Sequence, residues 1–483
     1  MAKRIILIPN IYSLLAIIFF YFRRFFMETG VQKKGRPFGF YVCSMGFTFE
    51  RLSFYTVKYI LAMWVAADVL SGGLGMGQVK ATAISAGFVA WTYITPMFGG
   101  YIADRWVKPR WCVLVGMILM GIGYMIAWKA TSLTLVYVMF VFVAVGTGLF
   151  KGNLSGITGQ LFNSAEQLDS AFSIQYTFVN IGSFIGTTFI APLATTGMFG
   201  VHVTYRTIFL ITGIFLFIDA IWFFVVGGKA LGEAGMSPFK KDQREFVSAE
   251  KKESEESAPL TAGDKKRVAA VLLVIIFSMV FWMLWYLAYF PAYFRFGWGD
   301  GAEYLNKANW VIGSFKIPTS WFDSVNALTC VVLGPVLAGV WLKLARRPQG
   351  DMSMYKKTGL GCGLLGLAYF VMVFADRLAG DNGQCSVLWI GLVCIMMSVG
   401  EMVFSPLGNS FINKLAPAKL LGLLLGTWPV AVFVSQFVYP KIYAWTLTQN
   451  FGFAYGLLGG IVIVFGVVLW ILSKKLDSWA EQE

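Results

Sequence analysis

The sequence predicts an all-α polytopic membrane protein with twelve transmembrane helices in two six-helix bundles. Three observations predict it. The chain is 57% hydrophobic and only 13% charged, about half the charge content of soluble domains. Apolar stretches of about 20 residues, the length that crosses a bilayer, recur along its 483 residues. A single long charged stretch, 229–267, divides them six and six.

The twelve predicted spans are 39–66, 80–103, 111–128, 133–151, 171–195 and 206–228, then 268–294, 321–343, 358–375, 388–412, 420–445 and 454–473. Most carry Gly or Pro, which membrane helices tolerate better than soluble ones. The expected organisation is an N-terminal segment (1–38), an N-terminal bundle (39–228), a cytoplasmic linker (229–267), a C-terminal bundle (268–473) and a cytoplasmic tail (474–483). The linker, KALGEAGMSPFKKDQREFVSAEKKESEESAPLTAGDKKR, has no apolar run and reads as flexible and solvated. A further apolar stretch, IILIPNIYSLLAIIFFYF (5–22), is short, contains Pro9-Asn10 and lacks a small-residue cleavage site. It reads as a peripheral or accessory helix; alternatively Met27 opens the functional chain.

Lysine and arginine set the expected orientation. With residue 33 in the cytoplasm, the inside loops hold 24 of them. These are Lys33, Lys34, Arg36, Arg105, Lys108, Arg110, nine between 229 and 267, Lys343, Arg346, Arg347, Lys356, Lys357, Lys414, Lys419, Lys474 and Lys475. The outside loops hold 7: Lys80, Lys129, Arg206, Arg295, Lys307, Lys316 and Arg377. Both termini of the core are therefore expected in the cytoplasm of a multi-pass protein of the cell membrane. The net charge of +14 follows from this flanking pattern and does not indicate nucleic acid. The six cysteines have no metal-ligand spacing, and only Cys385 falls in an outside loop, so neither a metal site nor a disulfide framework is expected. The single histidine, His202, lies in a loop and reads as solvated. The glycine-rich GGLGMG (72–77) is not followed by Lys-Ser/Thr and reads as a loop, not a phosphate cradle. No catalytic triad or nucleotide motif is present, so neither an enzyme nor a cofactor is expected.

The informative residues are charges inside apolar helices. Such groups are costly in hydrocarbon and normally face one another or a watered cavity. Glu50 and Arg51 sit side by side within FGFYVCSMGFTFERLSFYTVKYILAMWVAA; Lys151 lies in YVMFVFVAVGTGLFKGN and Glu401 in CIMMSVGEMVFSPLGNSF. Together they imply a polar path through the membrane, hence transport across it. In the first span Phe47, Arg51, Phe54, Tyr55 and Lys58 share one helical face, with Arg51 and Lys58 about 10 Å apart along the axis. Lys58 alternatively snorkels to the interface. Asp219, in FLFIDAIWFF, reads either as a balancing acid or as one partner in a helix–helix hydrogen bond. Asp323 reads either as an intramembrane acid or as a solvated helix cap.

Six motifs resemble the proton-dependent oligopeptide transporters of the major facilitator superfamily. In that superfamily two bundles hold substrate between them near the midplane. FERLSFYTVKYIL resembles the family's E-x-x-E-R-x-x-Y-Y. GTGLFKGN resembles G-x-G-x-F-K-P-N, and AFSIQYTFVNIGSFIG resembles F-Y-x-x-I-N-x-G-S. SWFDSVNALTCVVLGPVLAGVW resembles S-W-F-Q-S-x-N-P. GEMVFSPLGNSFINKLAPAKLLGLLLGTW resembles the block from G-E-x-x-x-S-P to G-x-x-x-G-x-W, and GGYIADRW resembles the superfamily's loop after the second helix. The resemblance covers 39–445. It implies a substrate site formed by Arg51, Tyr55, Lys58, Tyr93, Lys151, Asn180, Asn326, Glu401, Ser405 and Trp428. Lys151 would face a peptide carboxylate and Glu401 a peptide amino group. It also implies an inside gate at Asp104 and Arg105. Generic packing is the alternative for Tyr93 and Trp428.

The departures are specific. Phe47 and Tyr286 stand where the family has carboxylates, Lys58 stands for an arginine and Gly152 for a proline. Proton coupling is therefore expected to rest on Glu50, Asp219, Asp323 or Glu401, with Asp323 and Glu401 favoured because they lie away from Arg51 and Lys151. The expected function is import of di- and tripeptides by proton symport. The alternatives are transport of another small solute, an anion or amino acid, with altered coupling or none, and a non-transporting receptor on the same fold.

Overall fold

The computed structural model describes residues 36–162, 165–198, 200–239, 260–299, 301–348, 350–417 and 420–480. The candidate helix at 5–22, most of the linker (240–259) and the last three residues lie outside the described residues. Twelve long helices are described: α1 Phe38–Ala66, α2 Gly77–Arg105, α3 Pro109–Lys129, α4 Leu133–Gly159, α5 Ala165–Ile185, α6 Tyr205–Ala230, α7 Ala262–Phe290, α8 Trp321–Ala345, α9 Met354–Ala379, α10 Val387–Phe404, α11 Leu421–Thr446 and α12 Phe451–Ala480. Ten of them are long and apolar enough to cross a membrane; α1 and α2 are long enough but more polar.

Two predicted spans end differently. The stretch 388–412 is not one helix: α10 stops at Phe404, a 3₁₀ turn covers Ser405–Leu407, and a short helix follows over Gly408–Leu415. Pro406 has no N–H to continue the α ladder, which accounts for the break. The other, 171–195, leaves the α conformation after Ile185, through a π turn at Gly186–Ile190 and a 3₁₀ turn at Ala191–Ala194.

Glycine lets helices meet backbone to backbone in both halves, as small residues do in membrane bundles. A Cβ on Gly99 of α2 would lie 2.0 Å from the carbonyl oxygen of Gly148 on α4. Gly116 of α3 and Gly146 of α4 face each other, as do Gly361 of α9 and Gly400 of α10, so the third and fourth helices of each half approach alike.

The start of the linker is not free. Arg110, at the base of α3, donates from Nε to the Ala234 carbonyl at 2.6 Å and from Nη2 to the Gly232 carbonyl. The Gly235 N–H donates to Gln160 Oε1 at 2.7 Å, and the Phe239 ring lies against Gly156. Residues 231–239 are thus folded onto the bundle, a correction to the wholly solvated reading.

The two halves meet at the end where α1 finishes and α2 begins. Ser320 Oγ donates to the Thr187 carbonyl at 2.8 Å, Ser324 and Thr187 hydroxyls lie 2.9 Å apart, and Trp321 Nε1 donates to the Thr188 carbonyl. Glu303 accepts from the Gln78 N–H at the start of α2, and Tyr443 donates to Gln78 Oε1 at 2.6 Å. Toward the other end α8 loses its cover: Phe322, Asp323, Ser324, Ala327 and Cys330 are buried, and nothing after Cys330 on that helix is. These hydrogen bonds between the halves gather at the end where α1 finishes, and α8 is exposed toward the other.

Gly99→Ala should cost about 1–3 kcal/mol of stability through overpacking. Gly100→Ala, whose Cβ meets nothing within 4 Å, should be neutral. Thermal unfolding in detergent checks the pair.

Candidate functional site

On α1, Arg51 donates from Nε to Glu50 Oε2 at 2.5 Å and from Nη2 to Oε1 at 2.6 Å. This two-point fork matches guanidinium to carboxylate and holds both groups buried. The guanidinium also lies over the Phe54 ring at 4.5 Å and 5.9 Å from Tyr55. The face read from the spacing of Phe47, Arg51, Phe54, Tyr55 and Lys58 runs from the Phe150 ring of α4, 5.5 Å from that of Phe47, to the C-terminal half.

Lys58 does not snorkel. Its Nζ lies 3.3 Å from Asp323 Oδ1 of α8, and both residues are buried. Tyr293, in the π turn Pro291–Arg295 that ends α7, donates to Asp323 Oδ2 at 2.5 Å. The ammonium sits 4.1 Å from the Tyr289 ring centre and 5.7–5.8 Å from those of Tyr55, Trp285 and Tyr286, an aromatic box of the kind that stabilises cations. Asp323 is therefore an intramembrane acid and not a solvated cap. It ties α1 to α8, the two halves, near the end where α1 finishes. Tyr286, where the resembling family has a carboxylate, contributes a ring face to the same cation.

Lys151 of α4 is half-buried, with its Nζ 4.8 Å from the Tyr93 ring of α2. Among the described residues it makes no ion pair. Glu401 of α10 is buried and also unpaired; its Oε2 accepts from Asn326 Nδ2 at 3.1 Å, and the same amide reaches Ser398 Oγ at 2.9 Å. Asn326 thus orients the carboxylate without neutralising it. Lys151 on α4 and Glu401 on α10 thus each lack an ion-pair partner among the described residues.

The other predicted residues are less committed. Asn180 spends its amide on the Tyr176 carbonyl of its own helix. Ser405 lies in the 3₁₀ turn after α10. Trp428 of α11 packs on Gly408 and lies 6.4 Å from the Phe404 ring, so packing explains it as well as binding does. Asp219 is fully buried on α6, and among the described residues neither oxygen has a hydrogen-bond partner, which leaves the balancing-acid alternative and not the helix–helix hydrogen bond. Arg105 is exposed with its guanidinium 3.7 Å from the Tyr101 ring; among the described residues it and Asp104 form no ion pair. No group of three or more His, Cys, Asp or Glu able to hold a metal occurs among the described residues. Sequence reasoning missed Tyr293, 30 positions from Asp323, and the Glu303–Gln78–Tyr443 contacts, 225 and 365 positions apart; neither leaves a local pattern.

A polar seam between two six-helix halves, bridged at one end, defines a membrane transporter. The model of the Major Facilitator Superfamily matches residues 43–440, and the chain belongs to that superfamily. It is 27% identical to an uncharacterized transporter, YclF, of Bacillus subtilis, over 92% of this chain and 94% of that protein. It is 25% identical to a di-/tripeptide transporter of Lactococcus lactis subsp. cremoris, over 92% and 96%, and 26% identical to a peptide transporter of Yersinia enterocolitica, over 82% and 85%. The fold is similar to the crystal structure of a peptide transporter, POT, in complex with sulfate, with a TM-score of 0.81, 22% identity, and 94% and 97% of the two chains covered.

Replacing Lys58 or Asp323 alone by Ala strands a buried charge and should cost about 3–5 kcal/mol. The double change removes both charges and should cost less than the sum. Thermal unfolding of the four proteins checks the cycle; additive losses would mean the pair is not formed.

Proposed function

We propose that this chain is a secondary transporter that imports di- and tripeptides by proton symport, through alternating access. The single observation that carries the reading is the pair of unpaired charges, Lys151 on the N-terminal half and Glu401 on the C-terminal half. A short peptide is a zwitterion whose carboxylate suits Lys151 and whose ammonium suits Glu401. The names of the relatives support the same substrate class. Tyr55, Tyr93, Asn326, Ser405 and Trp428 are assigned to the walls of this site, Arg51 to its positive end, and Asn180 to its frame.

The lysine and arginine bias supports cytoplasmic termini of the core, in which case the bridged end faces outward and the other end faces the cytoplasm. Asp104 and Arg105 then belong to the inside gate. Substrate released inward would leave the two halves in this arrangement. Proton coupling is assigned to the C-terminal half. The Lys58–Asp323 pair bridges the halves at the outer end, so a proton on Asp323 removes the attraction and lets them part there. Loss of that proton to the inside restores the pair. Phe47 and Tyr286 cannot replace the two carboxylates of the resembling family, since phenylalanine does not ionise and a tyrosine phenol is a far weaker acid than a carboxyl group.

Labelled dipeptide uptake into reconstituted vesicles tests the proposal. An inward proton gradient should drive accumulation above equilibrium, and Asp323→Asn or Glu401→Gln should abolish accumulation while at least one of them spares peptide counterflow. Equal uptake with and without the gradient would replace symport by facilitated diffusion. Lys151→Ala should weaken peptide binding about 10- to 150-fold, the loss of one charge-assisted contact. Lys151→Arg should also impair it, because a planar fork does not replace a compact ammonium. Full transport by Lys151→Ala would remove the lysine from the site.

A further inference from the structure

Asp219 is the one buried acid of the N-terminal half that the transport scheme leaves unused. It is fully buried, and the side chains that meet at Gly46 beside it are apolar. Gly46 of α1 faces it, with a Cβ built there 3.8 Å from Asp219 Oδ1, 3.2 Å from Leu154 of α4 and 3.4 Å from Met117 of α3. Neither carboxylate oxygen has a partner. A bare carboxylate in such a place is strongly disfavoured against the neutral acid.

The position matters because of what shares it. Gly46, Glu50 and Ser53 lie along one stripe of α1 at i, i+4 and i+7. Ser53 Oγ donates to the Thr212 carbonyl of α6 at 3.1 Å, so α6 follows this stripe, with Asp219 opposite Gly46 and Thr212 opposite Ser53. Glu50 falls between them. Two carboxyl groups therefore occupy one helix–helix seam about one turn apart, and Arg51 is held by Glu50. The charged group on this stripe of α1 is Glu50, whose carboxylate is engaged by Arg51. From α3 come Met117 and, farther along, Tyr124, and from α4 Leu154.

We propose that Asp219 is a proton-binding site, occupied by a proton in this state, that fixes the charge of the N-terminal half. With Asp219 neutral, Arg51 and Lys151 stand against Glu50 alone, and the half carries one positive charge in excess, available to an anionic group of the substrate. With Asp219 ionised, that excess vanishes. The proposal rests on the transport reading only in saying what the excess charge is for.

Infrared difference spectroscopy of the purified full-length protein reads the proton directly. The wild type should show the carbonyl stretch of a protonated carboxyl group that is missing in Asp219→Asn and unchanged between about pH 6 and pH 8. Absence of that band, or its loss across this range, overturns the proposal. Dipeptide binding supplies a second reading. Asn is close in shape and charge to the neutral acid, so Asp219→Asn should bind within about twofold of the wild type. Tightening by tenfold or more would mean that the substitution removed a real negative charge, and would overturn it. Should Asp219→Asn fail to fold, Asp219→Glu supplies the assignment: the band should move rather than persist unchanged, and an unmoved band would overturn the proposal. A protein that binds no dipeptide but keeps the band would defeat the transport reading and leave the proton site standing.

Discussion

Three charges on one apolar helix, Glu50, Arg51 and Lys58 on α1, are the constraint around which the rest is arranged. None can face lipid, so α1 is enclosed by both halves and most of its residues are buried. Two solutions neutralise the charges. Glu50 and Arg51 pair within the helix, which keeps them independent of the other half. Lys58 pairs across to Asp323, which makes its neutralisation conditional on the halves being together. One local pair and one conditional pair on the same helix give a rigid element that still registers the separation of the halves.

The charges left over define the site. Lys151 and Glu401 lie on helices of opposite halves, and among the described residues neither meets a counter-ion. Uncompensated charges in a membrane bundle are disfavoured, and in the function proposed above a ligand supplies the missing partners. A molecule with both a negative and a positive end does so at both positions and draws the halves together, which links occupancy to closure.

Much of this was legible in the sequence, for identifiable reasons. Hydropathy and the charged linker gave the helices, and Glu50, Arg51, Lys151 and Glu401 stood out because each is an anomaly in its own segment. Lys58 and Asp323 were visible as residues but not as a pair. Their separation of 265 positions leaves no periodic trace, and each had a plausible solvated alternative. The break at Phe404 was hidden because 388–412 stays apolar through Pro406. The docking of 231–239 was hidden because LGEAGMSPF is short, carries no periodic pattern and runs into a charged stretch, whereas here backbone carbonyls are the groups that Arg110 binds. Asp219 had two readings, a balancing acid or one partner in a helix–helix hydrogen bond, and its own segment could not choose between them; among the described residues it is buried with no hydrogen-bond partner.

The central claim is that a dipolar ligand is held by opposite charges on the two halves. Competition by one dipeptide in free, N-acetylated and C-amidated forms, against a labelled free dipeptide, tests it most directly. Each blocked form lacks one charge and should compete about 10- to 150-fold more weakly than the free form. Lys151→Ala should erase the penalty for amidation, and Glu401→Gln should erase the penalty for acetylation. Equal competition by all three forms would contradict the account.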